Sequence, residues 1–134
     1  MTSDNIENAR LLRQASIETL PNPNTTNDYL CRQTSEIGMN NTVKINLCYV
    51  PSKLVISSQA FGQYLHSLDV ATDMPLESLA HTILDDLNNE LIPRWIQITL
   101  IANEQGLDRG HKILIEDRQP QWDNKNLLNR LSHF

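Results

Sequence analysis

The clearest alternation in the chain runs from position 43 to 50. Val43, Ile45, Leu47 and Tyr49 are separated by Lys44, Asn46 and Cys48, and Pro51 follows. A period of two over that length predicts a half-buried strand, and the proline ends it. Upstream, Gly38, Asn40 and Asn41 tolerate positive φ and suit a hairpin turn back to an earlier extended piece over residues 28–33. Downstream the spacing changes. Phe61, Tyr64, Leu65 and Leu68 predict a helix opening at Ser58. Leu76, Leu79, Ala80, Ile83, Leu84, Leu87 and Leu91 recur at three and four, predicting a second helix with one buried face. Asp73 is its expected cap, Pro75 falls in its first turn, and Pro93 marks its stop. Residues 95–102 and 112–116 are rich in β-formers, with a polar connection containing Gly106 between them. Asp123 or Asn124 is then placed to cap a short last helix holding Leu127, Leu128 and Leu131.

The predicted order is therefore β-β-α-α-β-β-α, which reads as an α+β domain, an antiparallel sheet with two helices on one face. Ahead of it, residues 1–20 are polar with only a weak helical pattern (Ile6, Ala9, Leu12), and Pro21 to Asn27 is a run of turn formers. Residues 1–27 are accordingly expected to be a partly ordered arm and turn-rich entry, and residues 28–134 a single domain.

Composition narrows the function classes. The chain has 134 residues, enough for one compact core. Its eleven Lys and Arg are scattered and the net charge is −5, so the basic stripe of a nucleic-acid binder is missing. The longest apolar runs fall short of a bilayer span, and the polar first residues do not read as a signal peptide, so the expected location is cytoplasmic. Cys31 and Cys48 have no metal-ligand spacing, and His66, His81, His111 and His133 include no ligand pair, so no metal site is expected. If the first two strands pair, the two sulfurs lie roughly across from each other. In a reducing compartment ordinary thiols are expected.

The element order is also that of the tunnelling fold, and several stretches resemble one family within it, the 7-cyano-7-deazaguanine reductases. Ile17-Glu18-Thr19-Leu20-Pro21-Asn22-Pro23 followed by Asp28-Tyr29 is similar to that family's entry and first strand. Tyr49-Val50-Pro51, Leu54-Val55 and Tyr64-Leu65 follow its spacing around the cofactor motif, and Asp85-Asp86-Leu87 and Arg109-Gly110 follow its later landmarks. The resemblance spans about residues 17–116. It implies a ring of several copies with ligand pockets at subunit junctions, a purpose that the exposed edges of an open sheet also favour.

The departures bear on activity. An ungapped count puts Thr34 where the family has its nucleophilic cysteine and Asn41 where it has its proton-donating aspartate. A threonine hydroxyl without an adjacent base is too weak a nucleophile to form the thioimide-type adduct, and asparagine neither gives up nor takes a proton at neutral pH. The family's cofactor motif, which carries a glutamate and two lysines, corresponds here to Ser57-Ser58-Gln59-Ala60-Phe61-Gly62-Gln63-Tyr64, with those charges gone, so NADPH binding is not implied. Glu77 corresponds to the carboxylate that anchors the guanine-like edge of the family's ligand. It reads equally as a first-turn residue favoured by the helix dipole. With Ser57, Ser58, Arg109, His111 and Trp122 it makes up the candidate ligand-binding set. His111 is open to a surface reading, and Trp122 is open to closing the end of the core. The resemblance thus implies a purine- or pterin-binding protein of the 7-deazaguanine tRNA-modification type without the reductase chemistry. The alternative is a non-catalytic oligomerisation module that binds a protein partner.

Overall fold

The computed structural model describes residues 3–38, 43–68, 75–103 and 110–134. After a helix α1 (Ser3–Ala15) and a two-residue strand β1 (Leu20–Pro21) come the strands β2 (Cys31–Ile37) and β3 (Val43–Val50). A second two-residue strand, β4 (Leu54–Val55), leads into the helices α2 (Ser58–Ser67) and α3 (Leu76–Leu91). The strands β5 (Trp95–Asn103) and β6 (Gly110–Arg118), a short helix α4 (Lys125–Leu128) and a 3-10 turn (Leu131–His133) complete the chain.

The four long strands form one antiparallel sheet in the order β2-β3-β5-β6, while β1 pairs with β4 apart from it. The architecture is the α+β arrangement expected from the sequence, with the four long strands and the two longer sheet-packed helices in β-β-α-α-β-β order.

Alternation along β3 and β5 divides the side chains between two faces. Ile45, Leu47 and Tyr49 of β3 and Ile96, Ile98 and Leu100 of β5 project toward the helices, where Phe61, Tyr64 and Leu65 of α2 and Leu79, Ile83 and Leu87 of α3 bury them. Cys48, Val50 and Trp95 project to the other face and form a smaller second core. The α4 segment closes that core with Leu127, Leu128 and Leu131, together with Leu30 and Trp122.

Local chemistry explains the boundaries. Gly38 turns the chain after β2 at φ 94, a conformation glycine adopts without a Cβ clash. Ser57 caps α2 by accepting a hydrogen bond from the Ala60 amide at 3.1 Å. The α3 helix ends on Ile92 in the left-handed region (φ 45), just before Pro93. A β-branched residue is strained there. Its amide still bonds to the Asn88 carbonyl at 3.0 Å, and its own carbonyl accepts from Gln119 at 3.1 Å. Asn124 caps α4 through the Leu127 amide at 3.1 Å, as its position in the sequence predicts. The expected Asp73 cap, and the Asn40, Asn41 and Gly106 turn positions, lie outside the described residues.

Three expectations need correction. Residues 3–15 form a helix, not a partly ordered arm, and its last turn is docked on α3 through Arg13 and Gln14. The first long strand covers residues 31–37, later than the expected 28–33. The two cysteines are one register position apart, Cys31 opposite Tyr49 and Cys48 opposite Arg32, so they occupy opposite faces of the sheet as free thiols.

Candidate functional site

The sequence candidates fall at three separate places. The first is at the corner where α3 begins above the start of β6. Glu77 lies in the first turn of α3, and His111 is paired with Ala102 in the β5–β6 ladder, on the face that carries the helices. His111 Nε2 lies 3.3 Å from Glu77 Oε1, and their side chains are 54% and 59% exposed. The other Glu77 carboxylate oxygen has no partner among the described residues. His81, one helical turn further on, bonds through Nδ1 to the Glu77 backbone carbonyl at 2.8 Å. Arg109, adjacent in sequence to this corner, lies outside the described residues, as does Asn41.

The second place is the opposite edge of the sheet. Ser57 and Ser58 are exposed at the start of α2. They are held over β2 by a bond from Gln33 Nε2 to the Ile56 carbonyl at 2.7 Å. Tyr49 Oη accepts from the Ile56 amide at 3.1 Å, and Gln33 Oε1 is buried beside it without a partner among the described residues. Three strand spacings separate β2 from β6, about 14 Å, and four residues along the strand separate Gln33 from the Ile37–His111 row, about 13 Å. Gln33 and His111 are therefore roughly 19 Å apart across the sheet, and Ser57 and Glu77 are associated with these two separate corners. Thr34 sits mid-strand opposite Asn46 and is exposed. By alternation from Cys31, which packs on the helix-side core, Thr34 points to the other face.

The third place is the second core. Trp122 packs on Cys48, Val50 and Trp95 and donates its indole N–H to Asp28 at 3.2 Å. Asp28 also accepts from Asn124 at 3.0 Å and from Arg94 at 2.8 Å, while Arg94 donates to the Thr25 carbonyl at 2.8 Å. Burial alone would raise the Asp28 carboxyl pKa. The bonds from Asn124, Trp122 and Arg94, with the Arg94 charge, outweigh burial and hold it below the usual carboxylate range. This cluster ties the turn-rich entry to the C-terminal segment, and Trp122, partly buried, takes part in closing it.

The polar network that sequence reasoning missed is centred on Asp86. Its side chain is wholly buried on the apolar stripe of α3. It accepts from Arg13 Nε, from Arg13 Nη2 at 3.1 Å, from Gln14 at 3.1 Å and from the Tyr64 hydroxyl. Asn89 extends the network by donating to Gln14 at 3.0 Å. Burial, reinforced by the bond to Asp86, raises the Tyr64 phenol far above its ordinary value, and the bond to Asp86 raises the Arg13 guanidinium. A carboxylate with all its directions taken and no solvent access binds α1, α2 and α3 together and offers nothing to a ligand. The signal was present in the sequence: Asp86 follows Ile83 by three, so an acid falls on the buried face and calls for a cation from elsewhere.

Among the described residues no group of three or more His, Cys, Asp or Glu side chains is disposed to hold a metal, and no helix is long and apolar enough to cross a membrane. No family model matches the chain, and no curated protein matches it. Among solved structures the chain is similar to the archaeosine synthase QueF-Like in its apo form. The TM-score is 0.49 with 16% sequence identity, covering 71% of this chain and 95% of that one.

Proposed function

We propose that this chain is a divergent tunnelling-fold protein of the 7-deazaguanine tRNA-modification type. It binds a guanine- or pterin-like ring through Glu77 and does not carry out NADPH-dependent nitrile reduction. The observation that carries the reading is the Glu77 carboxylate, exposed in the first turn of α3 with one oxygen free among the described residues. A carboxylate accepts the paired N–H groups of a guanine-type edge through two parallel charge-assisted bonds. The absence of reduction is supported by chemistry and by geometry. Thr34 is no thiolate, and it faces away from the side of the sheet that carries Glu77. Ser57 and Ser58, with Gln59 and Gly62 after them, supply no cation for a cofactor phosphate. The separation of Ser57 from Glu77 suits a pocket completed by a second copy in a cytoplasmic homo-oligomer.

Melting-temperature shifts with guanine, 7-deazaguanine, a pterin and GTP test the binding half. A ligand at 100 times its dissociation constant stabilises by about 2.7 kcal/mol. Glu77→Gln is expected to abolish the shift, and a protein that none of the four stabilises refutes the reading. NADPH oxidation dependent on 7-cyano-7-deazaguanine refutes the other half.

A second reading has its own support. Among the described residues the outer edges of β2 and β6 are unpaired, and Leu114 on β6 is 56% exposed. Those features suit a non-catalytic module that assembles with itself and a protein partner. A large assembly that binds none of the four rings favours it.

A further inference from the structure

We infer that residues 122–134 exchange between two copies of this chain, the segment of one closing the second core of the other. The turn at the root of the segment carries the inference. Gln119, Pro120, Gln121 and Trp122 form a tight turn with proline second and a left-handed residue third (Gln121, φ 67), closed by the Trp122 amide on the Gln119 carbonyl at 3.2 Å. Those are the features of a type II turn, whose third position favours glycine or asparagine because a Cβ is strained there. Gln121 carries that strain while exposed, with no side-chain hydrogen bond among the described residues to offset it.

The first residue of the turn is fixed to the body. The Gln119 amide donates to the Arg94 carbonyl at 3.0 Å, and its side chain donates to the Ile92 carbonyl at 3.1 Å. Beyond it, among the described residues, the backbone bonds of 122–134 stay within the segment or close on Gln119, so no ladder joins it to the sheet. Side chains hold it instead: Leu127, Leu128 and Leu131 rest on Val50 and Trp95, and Asn124 bonds to Asp28. The same segment from a second copy supplies each of these contacts, because its sequence is the same. The closed and exchanged forms therefore differ at the turn and in the entropy of association. Only the closed form needs Gln121 left-handed, and a short hinge under strain favours exchange as concentration rises. The exchange is independent of any ligand at Glu77.

Light scattering over a concentration series tests it on the full chain as wild type, Gln121→Gly and Gln121→Pro, with melting curves to check folding. Wild type should form a species of twice 15.3 kDa. Glycine relieves the closed turn, so the dissociation constant should rise by about 5-fold per copy, roughly 25-fold for the dimer. Proline cannot adopt φ 67 and should lower it. A mass of 15.3 kDa at every concentration overturns the exchange. So does a dissociation constant that neither variant moves, since an assembly built on the strand edges is indifferent to position 121. The contact itself is read by refolding two chains together, both Cys31→Ser. One also carries Leu131→Cys and Cys48→Ser, and the other keeps Cys48. A disulfide between the two chains is expected. A chain carrying both Cys48 and Leu131→Cys that links internally, beside a mixture that does not link, overturns the exchange; if neither links, the scattering series decides.

Discussion

Replacing Arg13 by alanine removes the only cation facing the buried Asp86 among the described residues, and the structure sets the scale of the loss. Two of the hydrogen bonds that Asp86 accepts come from Arg13; Gln14 and Tyr64 remain. Breaking a buried ion pair from one side costs about 3–5 kcal/mol, because the surviving charge stays desolvated. Arg13 is 27% exposed, so water can enter where the guanidinium was, and two neutral donors persist. The expected loss is therefore about 2–4 kcal/mol, at the lower side of the buried range. In urea, with a slope of about 1–3 kcal/mol per molar, the midpoint should fall by roughly 1–2 M. Hydrogen exchange should show lost protection across residues 3–15 as well as in the core, because α1 is held at this point. In a double-mutant cycle, Arg13→Ala and Asp86→Asn together should cost less than the sum of the two singles. A loss under about 0.5 kcal/mol with α1 protection unchanged would refute the view that this pair docks the helix.

Asp28 predicts a pH dependence. Its folded pKa is depressed, so its contribution is present above the ordinary carboxylate range near 3.8 and fades as pH falls through the folded value. Asp28→Asn should cost about 1–3 kcal/mol at pH 7, and the gap between the melting curves of variant and wild type should close in strong acid. A gap that is constant from pH 7 to pH 2 would show that the carboxylate charge plays no part. Cys31 and Cys48 should both titrate as free thiols after mild oxidation, because the sheet lies between them; an intramolecular disulfide in peptide mapping contradicts the register. Trp122→Ala should destabilise by about 2–4 kcal/mol through loss of second-core packing while leaving guanine affinity unchanged, and weakened binding at normal stability would return Trp122 to the ligand site.

The central strands and α3 were legible in the sequence because each carries a strong period in apolar residues. Ile45, Leu47 and Tyr49 alternate, and Leu79, Ile83 and Leu87 recur at helical spacing. The α1 helix was not, because it docks through Arg13 and Gln14, polar residues that leave no hydrophobic stripe. Its exposed Leu11 and Leu12 even point away from the usual amphipathic reading. The β2 strand was misplaced because it is an edge: Gln33 and Ser35 occupy its helix-facing positions, so alternation is lost. The two-residue strands β1 and β4 are shorter than any periodic signal. For the candidate site, the sequence supplied Glu77 and His111 singly. Their contact depends on a strand register that no local pattern encodes. Trp122 was equally consistent with a loop or a core, and the nearness of Asp28 and Val50 in space decides its surroundings.

The β3 and β5 strands form the wall between two cores, each strand feeding both through alternate residues. That arrangement makes chain length within them far less negotiable than residue identity. One residue inserted in the middle of β3 would turn Leu47 or Tyr49 toward the α4 side and bring Lys44 or Cys48 under the helices, damaging both cores in a single event. Conservative substitutions on either side would be felt by one core alone, and paired substitutions across the wall should combine nearly additively where the side chains share no neighbour. The outer strand β6, exposed along most of its length, is under no such double constraint. Relatives of this chain should therefore vary in length at the sheet's margins and in the hairpin connections, while the two middle strands keep their residue count through extensive change in sequence.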